Sequence, residues 1–160
     1  FVVQVGPETI GELGVTCAMT TNVKTIALNY IDYANRVSDQ EKEESLVDFI
    51  AMLHLVEDDP STAWETIKFL IERYEEADYY AIAEETEAHR VIGLLSAGPL
   101  EDLLSAHGPA FIDEAEQFAS KDRRWAWALG GTWQCKMSEE IWRRVQQAAD
   151  NTWWERRAAK

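Results

Sequence analysis

Three histidines and two cysteines are among the residues of this chain that could bind a metal or act as a base or nucleophile. Glu85 and His89 are four residues apart and share one helix face, but a diiron bundle needs Glu-x-x-His, and Thr86 stands where that glutamate would be. No His-x-x-x-His or Cys-x-x-Cys spacing occurs, and Cys17 and Cys135 are too few for a zinc site or a disulfide framework. We therefore predict no metal site and no cofactor.

Motifs for nucleophilic or acid–base catalysis are also missing from the sequence. Ser105 and His107 are two residues apart on a predicted helix end, so their side chains do not face each other. No G-x-S-x-G occurs, and Gly130-Gly131 lacks the Lys-Ser/Thr of a phosphate-binding loop. We predict no catalytic residues and a non-enzymatic protein. A small hydrolase stays as an alternative, because a catalytic triad assembles in space and not in sequence.

The spacing of apolar residues predicts an all-α fold. From Asn22 onward these residues recur with helical period, and we expect seven or eight short helices packed as antiparallel hairpins. The 38 residues between Ser61 and Pro99 match the length of one helical-repeat unit. The pattern therefore favours a HEAT- or TPR-like array, with a compact bundle as the alternative.

Polar segments predict several helix starts. Ser38 and Glu41 have the spacing of a capping box, and either Asp59 or Ser61 can cap the next helix, with Pro60 in its first turn. Further expected starts are Asp122 and Ser138.

Residues 1–18 differ in composition from the rest of the chain. They hold three of the eight glycines, and their valines suggest a short extended piece. We interpret 1–18 as an N-terminal extension that is not necessarily native, with a natural start at Met19 and a single helical domain over 19–160. The segment lacks the basic stretch followed by an apolar run that marks a secretory signal, and the two cysteines suit a reducing compartment. We therefore expect the protein in the cytoplasm.

Charge is distributed unevenly along the chain, whose net charge is −14. Residues 37–90 carry sixteen acidic and four basic residues, whereas residues 121–160 carry five acidic and nine basic residues. This acidity argues against binding nucleic acid, and no apolar run is long enough to cross a membrane.

The middle helices therefore predict an acidic surface that either keeps the protein soluble or meets a basic partner protein. The expected partner-binding residues are Asp58, Asp59, Glu75, Glu76, Asp78, Glu84 and Glu85.

Tryptophans are the other unusual feature, since six of the seven lie within residues 125–154. Most are expected in the core. Trp125 and Trp127 point to different sides of a helix, so one of them is a candidate for exposure, and an exposed tryptophan near an arginine would be an interface hot spot.

Three blocks of the second half resemble an uncharacterised bacterial domain family. They are Ser96–Leu104 (SAGPLEDLL), His107-Gly108 with Phe111-Ile112, and Ala128–Trp133 (ALGGTW), against a family pattern AAGPLEDLL…HG…FID…ALGGVW. The resemblance covers roughly residues 60–147 and departs at Thr132, where the family usually has valine. It implies a domain of unknown function in a bacterial protein, and the family has no established activity to carry over to this chain.

These blocks also have a structural interpretation. Gly98 is expected to end a helix at positive φ and Pro99 to start the next one. Glu101 and Asp102 would then lie in a first turn that favours acids, or accept hydrogen bonds from a neighbouring loop. Gly130-Gly131 would let the chain approach a packed helix.

Our leading hypothesis is an acidic helical protein-binding module, of which an immunity protein that neutralises a basic bacterial toxin is the analogous case. A structural or adaptor domain and a small hydrolase are the alternatives.

Overall fold

The computed structural model describes residues 11–159, with side chains from residue 22 onward except Asp48. The described residues form ten α-helices and one π turn, without a strand. The all-α prediction is confirmed. The helices are α1 (Gly11–Asn35), α2 (Asp39–Glu44), α3 (Leu46–Asp58), α4 (Pro60–Glu72), α5 (Glu76–Tyr80), α6 (Glu87–Leu95), α7 (Glu101–Lys121), α8 (Arg123–Gly130), α9 (Glu139–Ala148) and α10 (Thr152–Ala158), and the π turn is Ser96–Leu100.

Helix α1 begins at Gly11 and continues through residues 18 and 19 without a break. The extended piece suggested by the N-terminal valines lies outside the described residues, and the division at residue 18 stays a prediction. None of the helices in the described part of the chain is long and apolar enough to cross a membrane.

The predicted helix starts are confirmed by side-chain caps. Ser38 and Glu41 form a capping box, and the Asp59 carboxylate accepts from the Thr62 backbone N–H at 3.1 Å in front of Pro60. Asp122 and Ser138 cap α8 and α9 in the same way. These interactions connect residues two or three positions apart, which is why local sequence patterns predict them.

Two predicted helices are each divided in two. Ser45 separates α2 from α3, and its hydroxyl donates to the Glu41 carbonyl at 2.9 Å. Residues 81–86 separate α5 from α6, where Thr86 caps α6 and also donates to the Asp78 carbonyl at 2.8 Å. These two breaks and helix α10, which the sequence did not predict, raise the number of described α-helices to ten, although the two helices expected on either side of His107 are joined in α7.

The prediction that a helix ends at Gly98 is wrong. No described glycine has positive φ, and the chain passes from α6 through the π turn into α7 as continuous helix. Pro99 lacks an N–H and its ring crowds the carbonyl four residues earlier, and the wider π turn accommodates both effects. At His107-Gly108-Pro109 the expected boundary is a kink inside α7, with His107 at φ −129°.

The helices pack as a compact bundle, the alternative to an array. Helix α1 contacts α3, α4 and α6, while α7 contacts α3, α4, α8 and α9. In a solenoid each repeat contacts only its neighbours, whereas here helices distant in sequence share one core.

Buried aromatic rings fill the core between these helices. Trp64 packs against Trp125 at a ring-centroid distance of 5.2 Å, and Trp127 packs against Trp153 at 5.0 Å. Trp125 and Trp127 are both fully buried, so neither is the exposed tryptophan of α8 that their spacing suggested.

Candidate functional site

The seven predicted partner-binding residues lie in two groups at opposite ends of α4. Asp58 ends α3 and Asp59 caps α4. The second group follows α4 and comprises Glu75, Glu76, Asp78, Glu84 and Glu85. Because α4 has 13 residues, about 20 Å of helix separates the groups. The structure does not bring the seven carboxylates into one patch.

Several of these carboxylates interact within the chain. Asp59 accepts from the Thr62 hydroxyl at 2.6 Å and from its N–H, and these hydrogen bonds lower the pKa of Asp59. Glu75 and Asp78 form the capping box of α5. Ion pairs join Glu76 to Arg123 at 3.0 Å and Glu85 to Arg157 at 2.6 Å.

Asp58, Asp59, Glu75 and Glu84 are exposed and form no ion pair with a described residue. Asp59 and Glu75 cap helices, whereas Asp58 and Glu84 have no such role. Whether any of the seven contacts a partner stays a prediction.

A second candidate site brings together two of the three sequence blocks that resemble the bacterial family. The sequence predicted only part of it. Glu101, the first residue of α7, has 9% of its surface exposed, and its carboxylate accepts from the Trp133 backbone N–H at 2.8 Å. The expectation of a hydrogen bond to a neighbouring loop is confirmed for Glu101. This bond holds the chain that leaves α8, and the Trp133 side chain is 72% exposed.

The approach of this loop depends on glycine at residue 131. A Cβ added there would lie 2.6 Å from the Trp154 ring and 2.9 Å from Ser96. Gly131 has φ −86°, so the position requires the absence of a side chain and not an unusual backbone conformation. The expected close approach of Gly130-Gly131 to a packed helix is confirmed.

The ends of α3 and α7 bring further carboxylates near Glu101. Partial burial and the neighbouring charges of Glu101 and Glu57 raise the pKa of Asp102, whereas Lys136 opposes the increase. The end of α3 is attached to α7 through His107, whose Nε2 lies 3.1 Å from the Val56 carbonyl. The acidic corner, as we call it, consists of Glu57, Asp58, Glu101, Asp102 and Trp133.

The acidic corner has the chemistry of a binding site for a cation. An exposed indole ring attracts Lys or Arg through its π face, and adjacent carboxylates accept hydrogen bonds from the same groups. Tryptophan is also among the residues that most often dominate binding energy in protein interfaces. The sequence analysis identified the tryptophan cluster but did not identify Trp133 as its exposed member. The available signal was that Trp133 follows Gly130-Gly131 and lies outside the helices.

Two of the three histidines, His89 and His107, contact backbone groups. His89 is 5% exposed, with Nδ1 accepting from the Thr86 N–H at 3.2 Å and Nε2 lying 2.9 Å from the Tyr79 carbonyl. Burial lowers the pKa of His89. Within the described part of the chain, no three His, Cys, Asp or Glu side chains gather as a metal site. Cys135 is exposed and has φ 43°.

The fold and this corner define a small all-α protein with an acidic surface that displays a tryptophan. The chain belongs to the DUF6869 family, a family of unknown function, whose model matches residues 35–153. The resemblance to an uncharacterised domain is thereby confirmed. Comparisons with curated proteins and with solved structures found no match.

Proposed function

We propose that the protein is a non-enzymatic protein-binding module that docks a basic partner protein on the acidic corner. The observation that carries this proposal is the exposure of Trp133, 72%, on a loop whose backbone N–H donates to the Glu101 carboxylate at 2.8 Å, at the acidic start of α7. A large exposed aromatic side chain costs solubility, and a cationic partner would cover it.

The charge of the whole chain supports the same kind of partner. A net charge of −14 attracts a basic protein over several ångströms and repels acidic ones, which accelerates productive encounters. In this proposal Asp58 contacts the partner directly, and the acidic residues of the second group, beyond α4, contribute to the long-range field.

The finer form of the proposal is an immunity protein that neutralises a basic toxin in the bacterial cytoplasm. The acidic charge suits a toxin with a basic surface, since such surfaces are common in proteins that act on nucleic acids. An exposed free thiol at Cys135 is compatible with a reducing compartment.

Capture from an extract of the source cells tests the proposal. The immobilised protein is incubated with extract at about 50 mM and about 500 mM NaCl, concentrations between which screening suppresses electrostatic attraction. Captured proteins are identified by mass spectrometry and their affinity is measured after purification. We expect one basic protein, retained at low salt and lost at high salt.

Two variants locate the contact. Trp133→Ala and Asp102→Asn should each weaken binding of the purified partner roughly tenfold or more, as interface hot spots do. Asp39→Asn removes the same charge from exposed α2 and should change the affinity less than twofold. The proposal would be contradicted if Asp102→Asn and Asp39→Asn lowered the affinity for the partner equally. It would also be contradicted if the affinity depended neither on the salt concentration nor on Trp133.

A further inference from the structure

A groove of about 370 Å³ lies between the segment that follows α5 and helix α10, and it shares no lining residue with the acidic corner. Its size falls in the range of small-molecule sites. The residues that line it are Ala81, Ile82, Ala83, Glu84, Glu85, Trp153, Arg156 and Arg157.

The apolar part of the groove is held rigidly. The Trp153 indole N–H donates to the Ala81 carbonyl at 3.0 Å, which connects the two walls, and the Trp153 ring packs on His89 at 4.3 Å. Ile82 is 51% exposed in the opposite wall. An apolar ligand group would therefore find a preformed surface with little conformational entropy to lose.

One pair of charges in the groove is already used. Arg157 pairs with Glu85 at 2.6 Å, and its guanidinium lies over the Trp153 ring at 5.3 Å from the centroid. This ion pair connects the two walls of the groove, and the other charged side chains of the walls remain available to a ligand.

Glu84 and Arg156 are the remaining charged residues of the groove. They belong to opposite walls, both are exposed, and neither forms an ion pair with the other or with another described residue. The groove thus presents one anionic and one cationic group beside an apolar surface.

We propose that this groove binds a small zwitterion with an apolar body, namely a free aromatic or branched-chain α-amino acid. Its ammonium group pairs with Glu84, its carboxylate with Arg156, and its side chain packs on Trp153 and Ile82. Arginine suits this role because its planar guanidinium presents two N–H groups to one carboxylate. The site is separate from the acidic corner and does not rest on the protein-binding proposal.

Four small probes test the proposal through titration of ¹⁵N-labelled protein by NMR at neutral pH. L-Phenylalanine carries both charges, N-acetyl-L-phenylalanine lacks the ammonium, L-phenylalaninamide lacks the carboxylate, and L-serine lacks the apolar body. We expect saturable shifts at residues 81–85 and 153–157 with L-phenylalanine. Affinities should be roughly tenfold lower for N-acetyl-L-phenylalanine and L-phenylalaninamide, each of which loses one charge-assisted contact, and at least roughly tenfold lower for L-serine, which loses the burial of the apolar body.

Matched variants separate the local contacts from net charge. Arg156→Gln and Glu84→Gln should each weaken L-phenylalanine binding roughly tenfold, while Arg143→Gln, an exposed arginine on α9, should leave it unchanged. The double variant Glu84→Arg with Arg156→Glu should recover part of the affinity.

Three results would overturn the proposal: no saturable shift with L-phenylalanine up to about 20 mM, equal affinity for all four probes, or an equal loss for Arg143→Gln and Arg156→Gln. Circular dichroism of each variant confirms that it is folded, so that a loss of binding reports on the groove.

Discussion

At the scale of single residues, Glu101 holds the loop that displays Trp133. Removing its carboxylate leaves the Trp133 backbone N–H without its acceptor, and a hydrogen bond to a charged group contributes about 1.5–3 kcal/mol. We therefore expect Glu101→Ala to lower the free energy of unfolding in urea by about that amount and to weaken partner binding as well.

The neighbouring residue provides the control. Asp102 follows Glu101 but is exposed and has no hydrogen-bond acceptor role among the described contacts, so Asp102→Ala should change stability by less than about 0.5 kcal/mol. If Glu101→Ala and Asp102→Ala lower the free energy of unfolding equally, both residues stabilise the fold through the helix dipole of α7, and the hydrogen bond to Trp133 is not the cause.

His89 makes stability depend on pH. Burial lowers its pKa in the folded chain, so between the folded value and the ordinary value near 6.5 the unfolded chain binds more protons. The contribution to stability is therefore present above about pH 6.5 and is lost as the pH falls toward the folded pKa. Protonation also turns Nδ1 into a donor and breaks its hydrogen bond with the Thr86 N–H.

Urea unfolding at pH 7.5 and pH 5.5 measures this effect. The native chain should lose more stability over this interval than His89→Gln does, by up to about 1.4 kcal/mol per pH unit. His54→Gln, which changes an exposed histidine, should retain the native pH dependence. The same pH dependence in the native chain and in His89→Gln would contradict the assignment to His89.

At the scale of the elements, two glycines near the π turn have opposite requirements. A Cβ at residue 131 would collide with Trp154 and Ser96, whereas a Cβ at residue 98 meets nothing within 4 Å. Gly131→Ala should therefore destabilise the fold by about 1–3 kcal/mol through overpacking. Gly98→Ala should stabilise it by about 0.5–1 kcal/mol, because alanine favours helix over glycine.

Thermal unfolding of both variants, followed by circular dichroism, checks this pair. If Gly98→Ala loses as much stability as Gly131→Ala, this explanation is wrong, because the π turn itself would then require glycine at residue 98.

The elements also explain which parts of the fold could be predicted. Caps such as Ser38 with Glu41 act within one turn, so the sequence pattern was sufficient. The π turn was not predicted because a Gly-Pro pair ordinarily marks a boundary, whereas here the turn packs against α3, α4 and α8, contacts that the local sequence does not reveal. The break at residues 81–86 depends on Thr86 reaching the Asp78 carbonyl, which no periodicity reports.

At the scale of the whole molecule, the candidate sites depend on contacts between distant parts of the chain. Glu101 and Trp133 are 32 residues apart, and Trp153 reaches Ala81 across 72. Residue types alone indicated an acidic surface and a tryptophan cluster, and the bundle decides which tryptophan is exposed and which carboxylates remain unpaired. The choice between array and bundle likewise required the contacts of α1 and α7 with helices distant in sequence.

The net charge of the molecule leads to a last prediction. With 29 acidic and 15 basic residues, the folded chain repels itself, and exposed ion pairs such as Arg123–Glu76 contribute little in return. Raising NaCl from about 10 mM to about 150 mM shortens the Debye length from about 30 Å to about 8 Å and screens this repulsion. We expect the Tm to rise by about 2–4 °C, which corresponds to about 1 kcal/mol for a chain of this size.

Charge variants on α2 test the cause of that rise. Glu43 and Glu44 are exposed and have no ion-pair partner among the described residues, so Glu43→Lys with Glu44→Lys reduces the repulsion without breaking a described contact. The double variant should have the higher Tm at low salt and a smaller increase with added NaCl, as measured by differential scanning calorimetry. A Tm that falls as NaCl is added would mean that the exposed ion pairs outweigh the repulsion, because screening weakens attraction and repulsion alike.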